Sequence, residues 1–122
     1  MSLARLVPMQ PVRSIAESIV FYEKLGFVVD ARNDEWGWAR LRCGGCELML
    51  DQSINLHAGI PRISVLYLYP EDVVEFHRQA RANGLDVPDL DATFYGMTEF
   101  RLEDPDGNRL WIGQEQGAAN AR

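Results

Sequence analysis

The sequence predicts an α+β fold made of two tandem βαβββ modules. Three observations carry the prediction. A strand–helix–strand–strand–strand order occurs twice, over about residues 3–52 and again over about 62–114. Each helical segment has one apolar face and ends in a glycine, placed where a left-handed C-terminal cap belongs. The last third holds an alternating strand, an Asp104-Pro105-Asp106-Gly107-Asn108 turn and a second strand. Proline presets that turn and glycine supplies its positive φ.

In the first module Leu3–Val12 reads as a strand and Ser14–Leu25 as a helix. Ser14 and Glu17 have capping-box spacing. Ile15, Ile19, Tyr22 and Leu25 recur at helical spacing, and Gly26 stops the helix. Strands are predicted over Phe27–Arg32, Trp36–Cys43 and Cys46–Asp51. Gly44-Gly45 between the last two is a hairpin signal. Cys43 and Cys46 therefore flank a turn rather than open a helix. Only His57 lies near them in sequence, short of the four ligands of a structural zinc, so reduced structural thiols are expected.

A linker over 53–61 leads into the second module. Arg62–Tyr69 reads as a strand, and a helix is predicted from Pro70 to about Asn83, with Val73, Phe76, His77 and Ala80 facing inward and Gly84 closing it. Asp86–Leu90, Met97–Asp104 and Arg109–Gln114 complete the order. The small, polar tail 115–122 is expected to fray.

A chain of 122 residues with 47% hydrophobic content is expected to form a single domain with a substantial core. No apolar run is long enough to span a membrane and no signal peptide opens the chain, so the cytoplasm is the expected compartment. The net charge of −6, with no basic stripe, argues against a nucleic-acid partner and favours a cationic ligand by a small margin.

The segment Tyr95 to Ile112 has the form Tyr-Gly-x-x-x-Phe-x-Leu-x-Asp-Pro-x-Gly-Asn through Asn108. It resembles the C-terminal hairpin of the vicinal-oxygen-chelate superfamily, which includes glyoxalases, ring-cleaving dioxygenases and antibiotic-resistance proteins. The bleomycin-resistance branch is the most similar. In the first half, Pro11-Val12-Arg13-Ser14 and Ser18-Ile19-Val20-Phe21-Tyr22-Glu23-Lys24-Leu25-Gly26-Phe27 resemble the same superfamily. The likeness runs from Val7 to about Ile112. It implies mixed sheets that curl into a cup, with the helices outside and a ligand within.

Metal-dependent members hold one divalent ion with a side chain from each of four cup-facing strands, mostly His, Gln and Glu. Carried over by motif, those positions fall on Val7, Met49, Ser64 and Trp111. The resemblance therefore implies a non-metal member without a cofactor. His77 is expected as a packed histidine on the helix side. No Ser-His-Asp set, Gly-x-Ser-x-Gly or phosphate loop is present. Glu99 and Glu103 share a strand face and are expected to be solvated or salt-bridged.

With Val7, Met49, Ser64 and Trp111 facing the cup, alternation adds Met9, Glu47, Asp51, Leu66, Leu68, Arg109 and Gly113. Leu48, Leu50, Ile63, Val65, Tyr67, Leu110 and Ile112 then face the helices. Trp36 and Trp38 share a face beside Arg40, as an interface or a stacking platform. Phe94 and Tyr95 form a rim, and Glu99 offers charge. The expected ligand-binding residues are thus Trp36, Trp38, Met49, Ser64, Phe94, Tyr95, Glu99 and Trp111. The expected function is sequestration of an aromatic, cationic small molecule, bleomycin-like, in a cleft at a homodimer interface, without chemistry and without nucleic-acid or membrane partners. Two alternatives stand beside it: a divergent glyoxalase, dioxygenase or isomerase, and a ligand sensor or interaction module.

Overall fold

A computed structural model of the chain describes residues 1–54 and 62–117. The chain divides into two compact units, Met1–Ile60 and Pro61–Arg122. The first contains β1 (Met9–Pro11), α1 (Ile15–Glu23), β2 (Val28–Asn33), β3 (Trp38–Cys43) and β4 (Cys46–Asp51). The second contains β5 (Val65–Leu68), α2 (Val73–Ala82), β6 (Asp91–Ala92), β7 (Met97–Glu103) and β8 (Arg109–Glu115). Each unit is βαβββ, and the sheet orders correspond: β1-β4-β3-β2 and β5-β8-β7-β6, with the first pair parallel and the others antiparallel. The α+β class and the repeated order are as the sequence predicts.

The helix ends explain why the repeat folds. Ser14 Oγ accepts from the Glu17 amide at 3.2 Å, and Asp72 Oδ1 accepts from the Glu75 amide at 3.1 Å. Each helix thus begins at a polar N-cap. The second helix starts at Asp72 rather than at Pro70, because a side-chain acceptor satisfies a first-turn amide and proline has none to offer. A second acceptor closes each start: Gln52 Oε1 takes the Ile15 amide at 2.8 Å and Gln114 Oε1 takes the Val73 amide at 3.0 Å. Gly26 and Gly84 follow the helices at φ +93° and +96°.

In the first unit Ile15, Ile19 and Tyr22 of α1 are buried, as are Leu41, Leu48 and Leu50 of the sheet. In the second unit Val73, His77 and Ala80 are buried, with Phe100, Leu110 and Ile112. Each fully buried Leu or Ile contributes about 1.5–3 kcal/mol. His77 stacks edge-on against Phe100 at 4.9 Å, and its Nε2 lies 2.8 Å from the Pro88 carbonyl oxygen. It is the packed histidine the sequence implies.

Several boundaries differ from expectation. The first strand is confined to Met9–Pro11, the segment that pairs with β4, while Leu3 and Leu6 before it are exposed. Asp86–Leu90 is not a strand. Side chains of α2 hold it instead: Arg81 donates to the Val87 carbonyl and the Asp89 carboxylate, and His77 meets Pro88. The strand there is the short Asp91–Ala92. Trp36 lies in the turn before β3, its amide bonded to Asn33 Oδ1, and not on the strand face with Trp38. Cys43 and Cys46 are cross-strand partners flanking the Gly44-Gly45 turn, and both thiols are free. His57, most of the linker and residues 118–122 of the tail lie outside the described residues.

Candidate ligand-binding site

The DPDGN turn sets the register of the second sheet. Asp104 Oδ1 accepts from the amides of Asp106 and Asn108, both at 2.9 Å, and Asn108 Nδ2 donates to Asp104 Oδ2 at 2.8 Å. Asp104 and Asn108 are buried within the turn they build. The register that follows places Arg101 opposite Trp111, Glu99 opposite Gly113 and Tyr67 beside Trp111. Side chains opposite one another share a face. Leu110 and Ile112 point the other way, into the core.

On this face an aromatic–ionic cluster forms. The Arg101 guanidinium lies 3.5 Å from the centroid of the Trp111 ring, and that of Arg109 lies 5.7 Å from it. Tyr67 meets the same ring edge-on at 6.4 Å. Beneath them Glu99 is 1% exposed. Its Oε2 accepts from Arg101 Nε at 2.8 Å, and its Oε1 accepts from the hydroxyls of Tyr67, at 3.4 Å, and of Tyr95. Arg101 also donates to the Tyr95 hydroxyl at 2.9 Å. Burial alone would raise the Glu99 carboxyl, but the bonds from Tyr95 and Arg101, the Arg101 charge and the Tyr67 bond outweigh it and hold it below the usual carboxylate range. Burial, followed by the Glu99 charge, pushes the Tyr67 hydroxyl up to about 12.

Gly113 makes this packing possible. A methyl group there would collide with the Tyr67 hydroxyl and stand 2.8 Å from Glu99 Cβ. Glycine lets the tyrosine cross the strand and reach the carboxylate.

The first unit carries a related but sparser face. Arg40 opposes Met49 across β3–β4, as Arg101 opposes Trp111 across β7–β8. Arg40 lies 5.9 Å from the Trp38 ring and bonds Asp30 at 2.8 Å from the bulge in β2. Arg5 pairs with Glu47 on the same strand as Met49.

The structure thus brings Tyr95, Glu99 and Trp111 into one cluster and places Trp38 and Met49 on the corresponding face of the other unit. Phe94 is fully exposed next to Tyr95, and the two rings meet edge-on at 5.0 Å. Trp36 sits apart in its turn, 68% exposed. One expectation needs correction. Strand β5 is out by one residue: Val65 and Tyr67 share the Trp111 face, whereas Leu66 and Leu68 pair with the core residues Leu110 and Ile112. Exposed Ser64 precedes the strand, and Val65 lies two residues before Tyr67, the partner of Trp111, as Val7 lies two residues before Met9, the partner of Met49. Glu99 is salt-bridged, one of the two states expected of it, and is buried as well, so that it anchors Arg101 from below. Tyr67 and Arg101 were missed in the sequence. The alternation that placed Glu99 also placed Arg101 on its face.

The four metal-equivalent positions do not fit a divalent ion. Of the positions that the resemblance assigns to the metal, Val7 carries only hydrocarbon, Met49 a thioether, Ser64 a single neutral hydroxyl and Trp111 an indole without a free lone pair. Val65, which shares the Trp111 face next to Ser64, is hydrocarbon too. Among the described residues no group of three or more His, Cys, Asp or Glu side chains is arranged to hold one.

Fold and motif together define the class: the chain belongs to the Glyoxalase/Bleomycin resistance protein/Dioxygenase superfamily, whose family model matches residues 3–112. It is 30% identical to a bleomycin resistance protein of Klebsiella pneumoniae, across 89% of this chain and 90% of that one. A crystal structure of a bleomycin-binding protein complexed with bleomycin superposes with a TM-score of 0.76 at 26% identity, covering 93% of this chain and 100% of the other. A bleomycin resistance determinant encoded on the transposon Tn5 gives 0.75 at 27% identity, covering 93% and 98%. Among the described residues no helix is long and apolar enough to cross a membrane.

Proposed function

We propose that this protein binds and sequesters an aromatic antibiotic of the bleomycin type, without a metal and without altering the drug. The observation that carries the proposal is the Trp111 platform, an indole held by Tyr67 and Arg101 on the sheet face away from the helix. The fixed stack of Arg101 on Trp111 suits a flat heterocycle, because a planar guanidinium extends the aromatic surface beneath it. The relatives that bind or resist bleomycin support the same reading. The residues at the metal-equivalent strand positions offer no route to the metal-assisted chemistry of the enzymes in this superfamily.

In this proposal Trp111 carries the ligand ring with Phe94 and Tyr95 at its rim, and Trp38 and Met49 form the corresponding face of the first unit. The acidic chain draws the cationic part of the ligand. Two copies pair in the cytoplasm as a symmetric dimer, which would cover exposed Trp36, Phe94 and Ile63.

Calorimetric titration with bleomycin, paired with mass analysis of the recovered drug, tests the proposal. Saturable binding with the drug returned unchanged is expected. No binding at micromolar protein, or a drug of altered mass, would sink it. Sedimentation velocity showing only monomer at those concentrations would remove the dimer.

A further inference from the structure

We propose that the Trp111 subsite selects ligands by charge: it takes a planar ring bearing an anionic group and turns away a ring bearing a cation. This rests on the reading of the protein as a binder of aromatic small molecules and names what one part of the site accepts. The cationic part of a larger ligand then has to lie elsewhere.

Three observations carry the inference. The first is that the Trp111 ring already holds a cation, Arg101, at 3.5 Å. That guanidinium is not free to swing away, since it bonds both the Glu99 carboxylate and the Tyr95 hydroxyl. A cationic ring seeking the indole would have to displace it and strand a buried carboxylate, which costs far more than a surface contact returns. Arg101 nevertheless keeps an open outer face, its side chain being 49% exposed. A planar guanidinium stacks on aromatic rings, so a ligand ring can lie on Arg101 as Arg101 lies on Trp111.

The second observation is Arg109. It leans toward the same indole at 5.7 Å, yet among the described residues it forms no ion pair. Glu103 opposes it across the strands, but the Glu103 carboxylate turns toward the DPDGN turn, its Oε1 3.5 Å from where a Cβ of Gly107 would stand. Among the described residues Arg109 is therefore a cation with an aromatic neighbour and no ionic partner, positioned for the edge of whatever stacks on Arg101. Third, Arg101, Leu102, Glu103, Arg109 and Trp111 line a cleft of about 220 Å³. That is smaller than a drug-sized pocket and suits a single ring system with its substituent. Net charge does not oppose this, because it steers at long range while the local guanidinium groups decide what docks.

The test uses a matched pair of probes, naphthoate and naphthylmethylamine, titrated into the full chain while the indole signal of Trp111 is followed by NMR. The wild-type protein is expected to bind naphthoate about tenfold more tightly than the amine, the scale of one charge-assisted contact. Arg109→Gln should remove that preference and Arg109→Lys should restore most of it. Arg78→Gln, on the α2 surface, should leave it intact. The proposal is overturned if the amine binds as well as naphthoate, if neither probe binds, or if Arg109→Gln keeps the preference. Bleomycin binding with no naphthoate preference would refute this inference and leave the proposed function standing. Naphthoate preference without bleomycin binding would do the reverse.

Discussion

Arg101 and Trp111 are cross-strand partners, and the guanidinium of the first covers the ring of the second at 3.5 Å. The pair is held from below, because Glu99 fixes Arg101 and Tyr67 braces the indole. In the proposed reading, ligand recognition and internal stability therefore share the same side chains.

Removing the aromatic surface should weaken drug binding. Trp111→Ala is expected to cost about 1–3 kcal/mol in bleomycin affinity, and Trp38→Ala a loss on the same scale, typical of an aromatic anchor. His77→Ala, on the helix side, should leave affinity unchanged at temperatures where the variant is folded. Calorimetry on the three variants decides. Silence at both tryptophans with loss at His77 would place the site on the wrong sheet face.

Glu99→Gln should destabilise the fold by about 1–3 kcal/mol, since it removes the anion that Arg101 and two tyrosines address. The native carboxyl titrates below the ordinary glutamate value of 4.5. Its stabilising contribution is therefore complete above that value and disappears as pH falls through the lower native one. Urea melts from neutral to acid pH should show this acid limb in the wild type and a shallower one in the variant. Parallel curves would show that Glu99 carries no such linkage.

Tyr67 predicts the opposite limb. Its hydroxyl titrates near 12 in the native state, against an ordinary 10. Stability should fall as pH rises across that interval, because the unfolded chain loses the proton first. Ultraviolet titration of the wild type against Tyr67→Phe should show one tyrosine ionising late and missing in the variant. A difference spectrum with a midpoint near 10 would contradict it.

Gly113→Ala should cost about 1–3 kcal/mol through overpacking against Tyr67 and Glu99. Tyr67→Phe in the same chain should recover part of the loss, because the closest colliding atom is the hydroxyl oxygen. Thermal melts of the single and double variants measure the coupling. Strict additivity would mean the methyl group finds room elsewhere.

Much of this was legible in the sequence because local chemistry and global fold agree. Ser14 with Glu17 marks a helix start, Gly26 and Gly84 mark helix ends, and the DPDGN turn marks a hairpin, each for a stated backbone reason. The site was only half legible. In Ile63-Ser64-Val65-Leu66-Tyr67-Leu68, apolar residues fall on both faces, so alternation cannot set the parity, and a slip of one residue exchanges the faces. Tyr67 compounds the ambiguity, since its ring packs like a core residue while its hydroxyl needs a polar partner. The burial of Glu99 depends on Gly113 and Tyr95, contacts that appear only once two hairpins are in register. Asp72 and Glu75 have the same spacing as Ser14 and Glu17, a cue that Pro70 obscured.

Gln52 and Gln114 add something of a different kind. Each lies just beyond or near the end of its unit's last strand and completes the first turn of a helix that begins 37 or 41 residues earlier. The opening turn of either helix is therefore finished only when the closing strand arrives. Each half of the chain carries its own latch, and during synthesis the first can shut before the second has been made. Amide exchange at Ile15 and Val73 would reveal the order, with Ile15 protected first on a growing chain.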